Sequence, residues 1–292
     1  MQEQKELLKN EHSSTKMGYT IPMLEFEILT RGLYRPDQLT ITYNPSLRMP
    51  TSPAIQHWMD TLWTQKLANA QAKHIPLFDA PLYRFITAAS QPGGTLHLVL
   101  GDTGYKEYVT TRVPEFFHGR ERQELGNALS VCSVVETSDN YILLDKRQGV
   151  DVYVGRYHVI GGFFERDRDH TANAQPDPFA AIRREIREET GIQSSDIQEQ
   201  YCLGAVYDIA TPHAELCFLT RLSIPLAEAQ KRVPEEDEIK QLEVLKVTEE
   251  SLRDFLVKHH GNISATGEPN LLLYGEVRFG EAWMKEVMRQ IL

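Results

Sequence analysis

The chain has 292 residues, of which 41% are apolar, so it is long enough to bury a sizeable core in one large domain or two smaller ones. Aspartate and glutamate number 41 against 31 lysines and arginines, which gives a formal net charge of −10. Nonspecific binding of nucleic acid needs a basic surface, so this balance argues against it. A phosphorylated substrate is not excluded, because a bound metal and a few basic side chains reverse the field locally.

The three cysteines, Cys132, Cys202 and Cys217, are odd in number and widely spaced, which predicts reduced, buried thiols rather than disulfides or a zinc site. Residues 1–17 are polar, which predicts a weakly structured segment without the apolar core of a signal peptide. No apolar run reaches the length of a membrane span. We therefore expect a cytoplasmic protein without a membrane partner, and the sequence does not indicate its oligomeric state.

The first part of the chain, over residues 1–124, is predicted to form a small α/β extension. Apolar periodicity and turn residues predict these elements: strands over 23–28, 39–43, 82–88 and 95–100, and a helix over 53–72 capped by Ser52. The segment from Leu100 to Arg112 predicts a loop and a short helix. Its glycine turn and hydroxyl side chains also fit a polar substrate wall.

The second part, over residues 125–292, alternates predicted strands and helices. Strands are predicted over 128–136, 141–147, 157–160, 201–209, 215–224 and 242–247; helices over 226–233, 249–259 and 281–292; and an acidic loop over 234–238. Such mixing predicts an α/β sandwich, in which a mixed sheet carries helices on both faces.

The rest of this part is organised around residues 161–192, GGFFERDRDHTANAQPDPFAAIRREIREETGI, whose second half predicts a helix. Asp177 is a helix-capping residue, Pro178 suits the first helical position, and Gly191 suits a left-handed stop. Phe179, Ile182 and Ile186 recur at helical spacing, which predicts a buried apolar stripe.

The same helix carries Glu185, Glu188 and Glu189, which lie on one side of it at the spacings i, i+3 and i+4. Like charges this close repel each other. A divalent cation would turn the repulsion into a binding site, because Mg²⁺ and Mn²⁺ take oxygen ligands. The alternative is a solvated helix face held by salt bridges, a role that similar strings often have.

The string REIREETGI, over 184–192, resembles the second half of the Nudix box, REUXEEXGU, at every fixed position. Gly161 and Gly162 resemble the glycine opening of that box, and we interpret them as a turn after the strand over 157–160. The chain departs from the pattern between these two parts. Pro176 stands where counting back from Arg184 should find a glutamate, and the segment is about eight residues too long.

Other stretches resemble one branch of the Nudix hydrolases, the UDP-glucose pyrophosphatases of animals and related plant Nudix proteins. The stretches are LFDAPLYRF (77–85), LHLVLGDTGYKEYVTTR (96–112), LGNALSV (125–131) and YHVIGGFFE (157–165). The branch also has a long insert inside the box, so the extra residues 166–176 fit it. One departure is that the REUXEE helix here is fuller than in the animal proteins. The resemblance covers roughly residues 58 to 275, and it implies a substrate-binding role for the N-terminal extension over residues 1–124.

The resemblance implies hydrolysis of a nucleoside diphosphate linked to another moiety, with UDP-glucose or UDP-galactose giving UMP and a sugar 1-phosphate. The cofactor implied is Mg²⁺, with Mn²⁺ as an alternative. Glu185, Glu188, Glu189 and the main-chain carbonyl of Gly162 are the expected metal ligands. Glu188 or Glu189 also orients or deprotonates the attacking water, and Arg184 holds the carboxylates in place.

Seven further residues are predicted to bind substrate, and Glu165 is expected near the metal. The seven are Arg84, Thr103, Tyr105, Thr110, Lys146, Arg147 and Glu215. For the first four of these residues, the alternative to substrate binding is internal packing. For Lys146, Arg147 and Glu215, the alternative is an exposed charge at the end or edge of a strand. Two other functions stay open: a pyrophosphatase for ADP-ribose or a dinucleotide, and a nucleotide-binding protein of the same fold without catalysis.

Overall fold

A computed structural model describes residues 24–148, 152–235, 239 and 242–292. The predictions for residues 1–17 and for most of the acidic loop at 234–238 lie outside these residues. The strands are β1 Phe26–Tyr34, β2 Leu39–Tyr43, β3 Pro81–Gln91, β4 Thr95–Gly104, β5 Leu129–Glu136, β6 Tyr141–Lys146, β7 Tyr157–His158, β8 Ile160–Phe163, β9 Ile197–Asp208, β10 His213–Leu222 and β11 Leu242–Lys246. The helices are α1 Pro53–Ala72, α2 Tyr105–Thr111, α3 Pro114–Phe117, α4 Pro178–Thr190, α5 Leu226–Ala229, α6 Glu249–His259, α7 Gly267–Phe279 and α8 Glu281–Ile291.

The strands form two sheets. The large sheet has the order β1-β9-β10-β5-β6-β11, with β7 paired to β6 and β8 paired to β5. Its central pair, β10 and β5, is parallel, and its other pairs are antiparallel. The small sheet has the order β2-β4-β3. Within the described part of the chain, no helix is both long and apolar enough to cross a membrane.

The large sheet is covered on both faces, because successive side chains of a strand point to opposite sides. Leu216 and Phe218 of β10 pack in one hydrophobic cluster with the apolar stripe of α4. Cys217 and Leu219, which alternate with them, pack in a second cluster with side chains of α6, α7 and α8. The predicted α/β sandwich is confirmed. All three cysteines are buried and free, as predicted.

The small sheet and the large sheet share one of these clusters. Tyr83 and Phe85 of β3 lie in the same cluster as Leu129 and Val131 of β5. The backbone N–H of Tyr83 also donates to the carbonyl of Phe164 at 3.1 Å. In addition β1, which precedes the proposed boundary at 124/125, pairs with β9 beyond it. One hydrophobic core therefore spans that boundary.

The helix α4 begins and ends as its sequence predicts. The Asp177 side chain accepts a hydrogen bond from the N–H of Ala180 at 3.0 Å, and Pro178 is the first helical residue. Gly191 ends the helix with φ of 74°, a left-handed conformation that favours glycine. Phe179, one residue of the predicted stripe, is buried in the core with the others. The caps therefore set the ends of the helix, and the apolar stripe sets the side that faces the sheet.

The predicted glycine turn at Gly161 and Gly162 is wrong. Both glycines lie inside β8, where they pair with Cys132 and Val131 of β5. A Cβ atom added at Gly161 would lie 2.3 Å from the carbonyl oxygen of Val131. The glycine is therefore needed for close approach of two strands rather than for a change of chain direction.

Candidate active site

A cleft of about 1000 Å³ opens beside α4 and β8. Arg184, Glu185 and Glu188 of α4 line it, together with the glycines of β8. Glu215 of β10 lines another part of the same cleft. The cleft thus brings together the acidic helix, the glycine strand and the glutamate that the sequence predicted outside the box.

The three glutamates of α4 are all buried, but they face different partners. Glu185 and Glu188 line the cleft. Glu189 accepts a hydrogen bond from the backbone N–H of Gly161 at 3.1 Å and is not among the cleft-lining residues. The acidic face therefore presents two carboxylates to the cleft and ties the third to β8.

Arg184 joins the carboxylates to one another. Its Nη1 donates to Glu185 Oε1 at 2.8 Å and to Glu188 Oε2 at 3.0 Å. Its Nε and Nη2 donate to the two carboxylate oxygens of Asp169 at 2.8 and 2.7 Å. Burial opposes its charge, yet the hydrogen bonds and charges of these carboxylates raise the pKa of Arg184 above its usual value. This arginine therefore stays charged and fixes the geometry of its three partners.

Glu185 is a buried carboxyl group close to other charges. Burial raises the pKa of Glu185 to about 8, and the negative charge of Glu188 acts in the same direction. The charge and hydrogen bond of Arg184 lower this pKa and only partly offset the rise. Gly162 leaves the room that this carboxyl group occupies, since an added Cβ would lie 2.6 Å from Glu185 Cδ. The site thus keeps an oxygen donor in a place that water solvates poorly.

The part of the chain that the structure describes contains no ready-made group of three His, Cys, Asp or Glu side chains for a metal. Arginines instead engage Oε1 of Glu185 and both carboxylate oxygens of Glu188. The donor set is nevertheless one of hard oxygens, which is the chemistry that Mg²⁺ and Mn²⁺ prefer.

The long segment between β8 and α4 contributes two residues that the sequence analysis did not single out. Asp169 is buried, binds Arg184, and accepts the backbone N–H of Glu165 at 2.8 Å. Arg168 forms an ion pair with Glu188, and its Nη1 lies 3.4 Å from Glu165 Oε1. Burial raises the pKa of Glu165. The only sequence signal for these pairs was the alternation of charge in the string ERDRDH.

Glu215 lies between two histidines that the sequence analysis also missed. Its carboxylate oxygens are 3.9 Å from His158 Nε2 and 3.9 Å from His213 Nε2. Burial raises the pKa of Glu215, with His213 acting in the opposite direction. Burial, followed by the charges of Arg147 and His213, lowers the pKa of His158 well below its usual value. The cluster therefore holds a neutral His158 beside a buried carboxyl group whose pKa is raised.

Only part of the predicted substrate-binding set lines the cleft. Tyr105 and Arg147 do so. The Tyr105 ring packs edge-on against Phe163, with centroids 5.6 Å apart. Lys146 is not among the lining residues, and its Nζ lies 3.7 Å from the ring centroid of Tyr157.

Three other predicted contacts, Arg84, Thr103 and Thr110, are buried away from the cleft lining. Arg84 Nη2 donates to the backbone carbonyl of Gln123 at 2.7 Å. The Thr103 hydroxyl group donates to Glu107 Oε2 at 2.9 Å. The Thr110 hydroxyl group donates to the backbone carbonyl of Lys106 at 2.6 Å, one turn earlier in α2. Their polar groups serve the fold at the observed positions.

Several basic residues line other parts of the cleft. Lys66 lies in α1, and Lys73 lies about two turns later at the C-terminal end of the same helix. Arg112 directly follows α2. With Arg147 and Arg168 they give the cleft five basic side chains besides Arg184. In a chain with a net charge of −10 this is a local reversal of sign. The arrangement suits an anionic ligand held between basic side chains and an acidic helix.

No family model and no curated protein matches the chain. Among solved structures, it is similar to the NUDIX domain of Shewanella oneidensis NrtR in complex with ADP ribose, with 17% identity, 56% of this chain and 97% of that chain covered, and a TM-score of 0.39. It is also similar to a bifunctional NMN adenylyltransferase/ADP ribose pyrophosphatase from Francisella tularensis, with 13% identity, 57% and 44% covered, and a TM-score of 0.38. A complex of that Francisella protein with AMP and a Mn ion matches at 16% identity, 55% and 42% covered, and a TM-score of 0.35.

The chain thus spans less than half the length of the Francisella protein. At these identities and TM-scores, the likeness does not define an activity for this chain.

Proposed function

We propose that this chain is a metal-dependent Nudix hydrolase that cleaves the diphosphate of a nucleoside diphosphate linked to another moiety. The observation that carries the proposal is the meeting of Glu185 and Glu188 with the glycine strand β8 in one cleft. The sequence around them keeps every fixed position of REUXEEXGU.

Glu185, Glu188, Glu189 and the carbonyl of Gly162 are the residues that would hold Mg²⁺ or Mn²⁺. The fit rests on their oxygen donors and on the space that Gly162 leaves for the Glu185 carboxyl group. When bound, such a cation neutralises the diphosphate and polarises it towards attack by water.

The chain's own residues supply position and proton transfer. Arg184 holds the carboxylates through contacts at 2.8 and 3.0 Å, so that they keep one arrangement during a turnover. Glu188 or Glu189 orients or deprotonates the attacking water. Arg147, which lines the cleft, binds phosphate oxygens, because a guanidinium matches them with two parallel hydrogen bonds.

Within this class we propose a UDP-sugar as substrate, with UMP and a sugar 1-phosphate as products. The upstream stretches that resemble the UDP-glucose pyrophosphatase branch support this choice. Tyr105, which lines the cleft, would stack on the base of whichever nucleotide binds there. Arg84, Thr103 and Thr110 do not contribute to the proposal, since they are buried outside the cleft lining.

The test is a substrate panel with Mg²⁺ or Mn²⁺: UDP-glucose, UDP-galactose, ADP-ribose, NADH, diadenosine polyphosphates and capped RNA. Phosphate released after phosphatase coupling is the readout. We expect the UDP-sugars to give the highest kcat/KM. If ADP-ribose exceeds UDP-glucose by roughly tenfold or more, a dinucleotide or ADP-ribose pyrophosphatase replaces the UDP-sugar assignment.

A second candidate is a nucleotide-binding protein that does not catalyse hydrolysis. It is favoured by the arginine contacts to Glu185 and Glu188 and by Pro176 in the place of the box glutamate. Absence of turnover on the whole panel, together with binding of one of its members by calorimetry, would select this candidate.

A further inference from the structure

Arg168 lines the cleft beside the acidic helix. Its guanidinium forms ion pairs with Glu188 and with Glu165, both of which line the cleft. The side chains of the two glutamates are 6% and 19% exposed, whereas that of Arg168 is 42% exposed. The arginine therefore reaches from the solvent-facing side onto two largely buried carboxylates.

Glu188 has both of its oxygens engaged by arginines. Arg184 holds Oε2 at 3.0 Å, and Arg168 holds Oε1. Arg187 Nη2 lies farther from the same Oε1, at 3.5 Å. A divalent cation that binds Oε1 therefore competes first with Arg168, the nearer of the two guanidinium groups. Arg184 and Arg168 differ in how firmly they are held.

Arg184 is anchored from behind. Its side chain is 9% exposed, and Asp169 binds it with two hydrogen bonds. The ion pairs found for Arg168 among the described residues are with the two cleft glutamates themselves. Arg168 is therefore the partner that can leave without breaking the buried network.

We propose that Arg168 is a built-in counterion that occupies the cation position at Glu188 and Glu165 until a divalent cation takes its place, and that its guanidinium then binds the diphosphate. The inference rests on the proposed function and adds a role for the long segment between β8 and α4. A displaced Arg168 remains beside the cleft with its donors available. The diphosphate of the substrate then supplies the negative charge that pairs with Arg168 in place of the two glutamates.

The test measures Mn²⁺ binding to the full chain by calorimetry and by electron paramagnetic resonance, without substrate. Arg168→Gln removes the competing positive charge. Arg168→Lys keeps the charge but loses the planar guanidinium group, which can bind two carboxylates at once. Arg187→Gln is the matched control: Arg187 lies 3.5 Å from Glu188 but pairs with Glu235 and is not among the cleft-lining residues. Since both Gln variants remove one positive charge near the same carboxylate, they separate displacement from a general change of field.

We expect Arg168→Gln to bind Mn²⁺ at least roughly tenfold more tightly than the wild type, as loss of a close competing charge pair implies, with Arg168→Lys in between. Arg187→Gln should change the affinity by less than about threefold. In the presence of saturating Mn²⁺, Arg168→Gln should bind methylene-bridged uridine diphosphate at least roughly tenfold more weakly.

Unchanged or weaker Mn²⁺ binding by Arg168→Gln, or equal tightening by Arg187→Gln, would overturn the role of Arg168. Glu188→Gln separates this failure from a failure of the proposed function. If Glu188→Gln loses Mn²⁺ while Arg168→Gln binds it like the wild type, only the inference about Arg168 fails. If Glu188→Gln binds Mn²⁺ as the wild type does, the metal assignment fails and the inference fails with it.

Discussion

Gly162 lies directly against the carboxyl group of Glu185, since a Cβ added at the glycine would be 2.6 Å from Glu185 Oε1. The adjacent Gly161 faces backbone instead, with the carbonyl oxygen of Val131 at 2.3 Å from an added Cβ. Two neighbouring glycines of β8 therefore have different tasks. Gly161 allows the strands to approach, and Gly162 makes room for an acidic side chain of α4.

These tasks predict different effects of alanine. In Gly162→Ala the flexible Glu185 side chain must move, so we expect Mn²⁺ affinity to fall at least roughly tenfold with a change in stability of about 1 kcal/mol or less. In Gly161→Ala the added atom meets a backbone that cannot yield, so we expect a loss of about 1–3 kcal/mol. Calorimetry and urea unfolding measure the two quantities. The reverse pattern would contradict this division of roles.

The pair of Asp169 and Arg184 predicts a second effect. Asp169→Ala removes two hydrogen bonds to the Arg184 guanidinium, while Glu185 and Glu188 continue to balance its charge. We therefore expect the free energy of unfolding to fall by about 1–3 kcal/mol. Asp167→Ala is the control, because Asp167 is exposed in the same segment and its loss should cost less than about 0.5 kcal/mol. Equal stabilities in urea unfolding would show that Asp169 does not hold Arg184.

His158 predicts a pH dependence. Burial, Arg147 and His213 lower its pKa well below the usual 6.5, so the folded chain binds this proton less tightly than the unfolded chain. The stability that the neutral histidine supplies is complete above pH 6.5 and is lost as the pH falls below that value. His158→Gln should flatten this acid-side loss. Urea unfolding between pH 5 and 8 checks it, and parallel curves for the wild type and the variant would contradict the account.

Arg84 separates a structural role from the predicted contact with substrate. Its Nη2 donates to the carbonyls of Gln123 and Leu125 at 2.7 and 3.1 Å, and burial lowers its pKa. Arg84→Gln leaves buried carbonyls without a donor, so we expect a loss of about 1–3 kcal/mol in stability. The Michaelis constant should stay within roughly twofold of the wild type. A KM raised tenfold at unchanged stability would instead restore the role in binding.

Much of the fold could be predicted because the signals are local. The cap at Asp177, the stop at Gly191 and the apolar spacing of α4 act within a few residues, and α4 follows them. Helix α1 and strand β2 have the bounds that their periodicity predicts. By contrast, the use of Gly161 depends on a neighbouring strand some 30 residues earlier. A glycine pair in isolation equally predicts a turn, which is why that prediction failed.

The candidate site was less accessible to sequence analysis. The carboxylates of α4 share a helix and therefore a spacing, which made them visible. Asp169 and Arg168 reach them from a segment without regular structure, and no period links positions 168 and 188. His213 lies two residues before Glu215 on β10 and so shares its face, a local signal that the sequence analysis did not use. His158 reaches Glu215 from β7, through the pairing of separate strands with β5 and β6. Thr103 and Thr110 are polar residues in a segment whose sequence resembles a loop, and nothing in that sequence indicated that their side chains are buried.

The measurement that tests the central claim most directly is hydrolysis of UDP-glucose and the other diphosphates by the wild type and by Glu188→Gln, with Mg²⁺ or Mn²⁺ and with chelator. Glu250→Gln is the control, because its side chain is 79% exposed on α6. We predict turnover that needs the metal, that falls at least roughly 100-fold in Glu188→Gln, and that is unchanged in Glu250→Gln. No hydrolysis of any diphosphate by the wild type, or full activity in Glu188→Gln, would contradict the account.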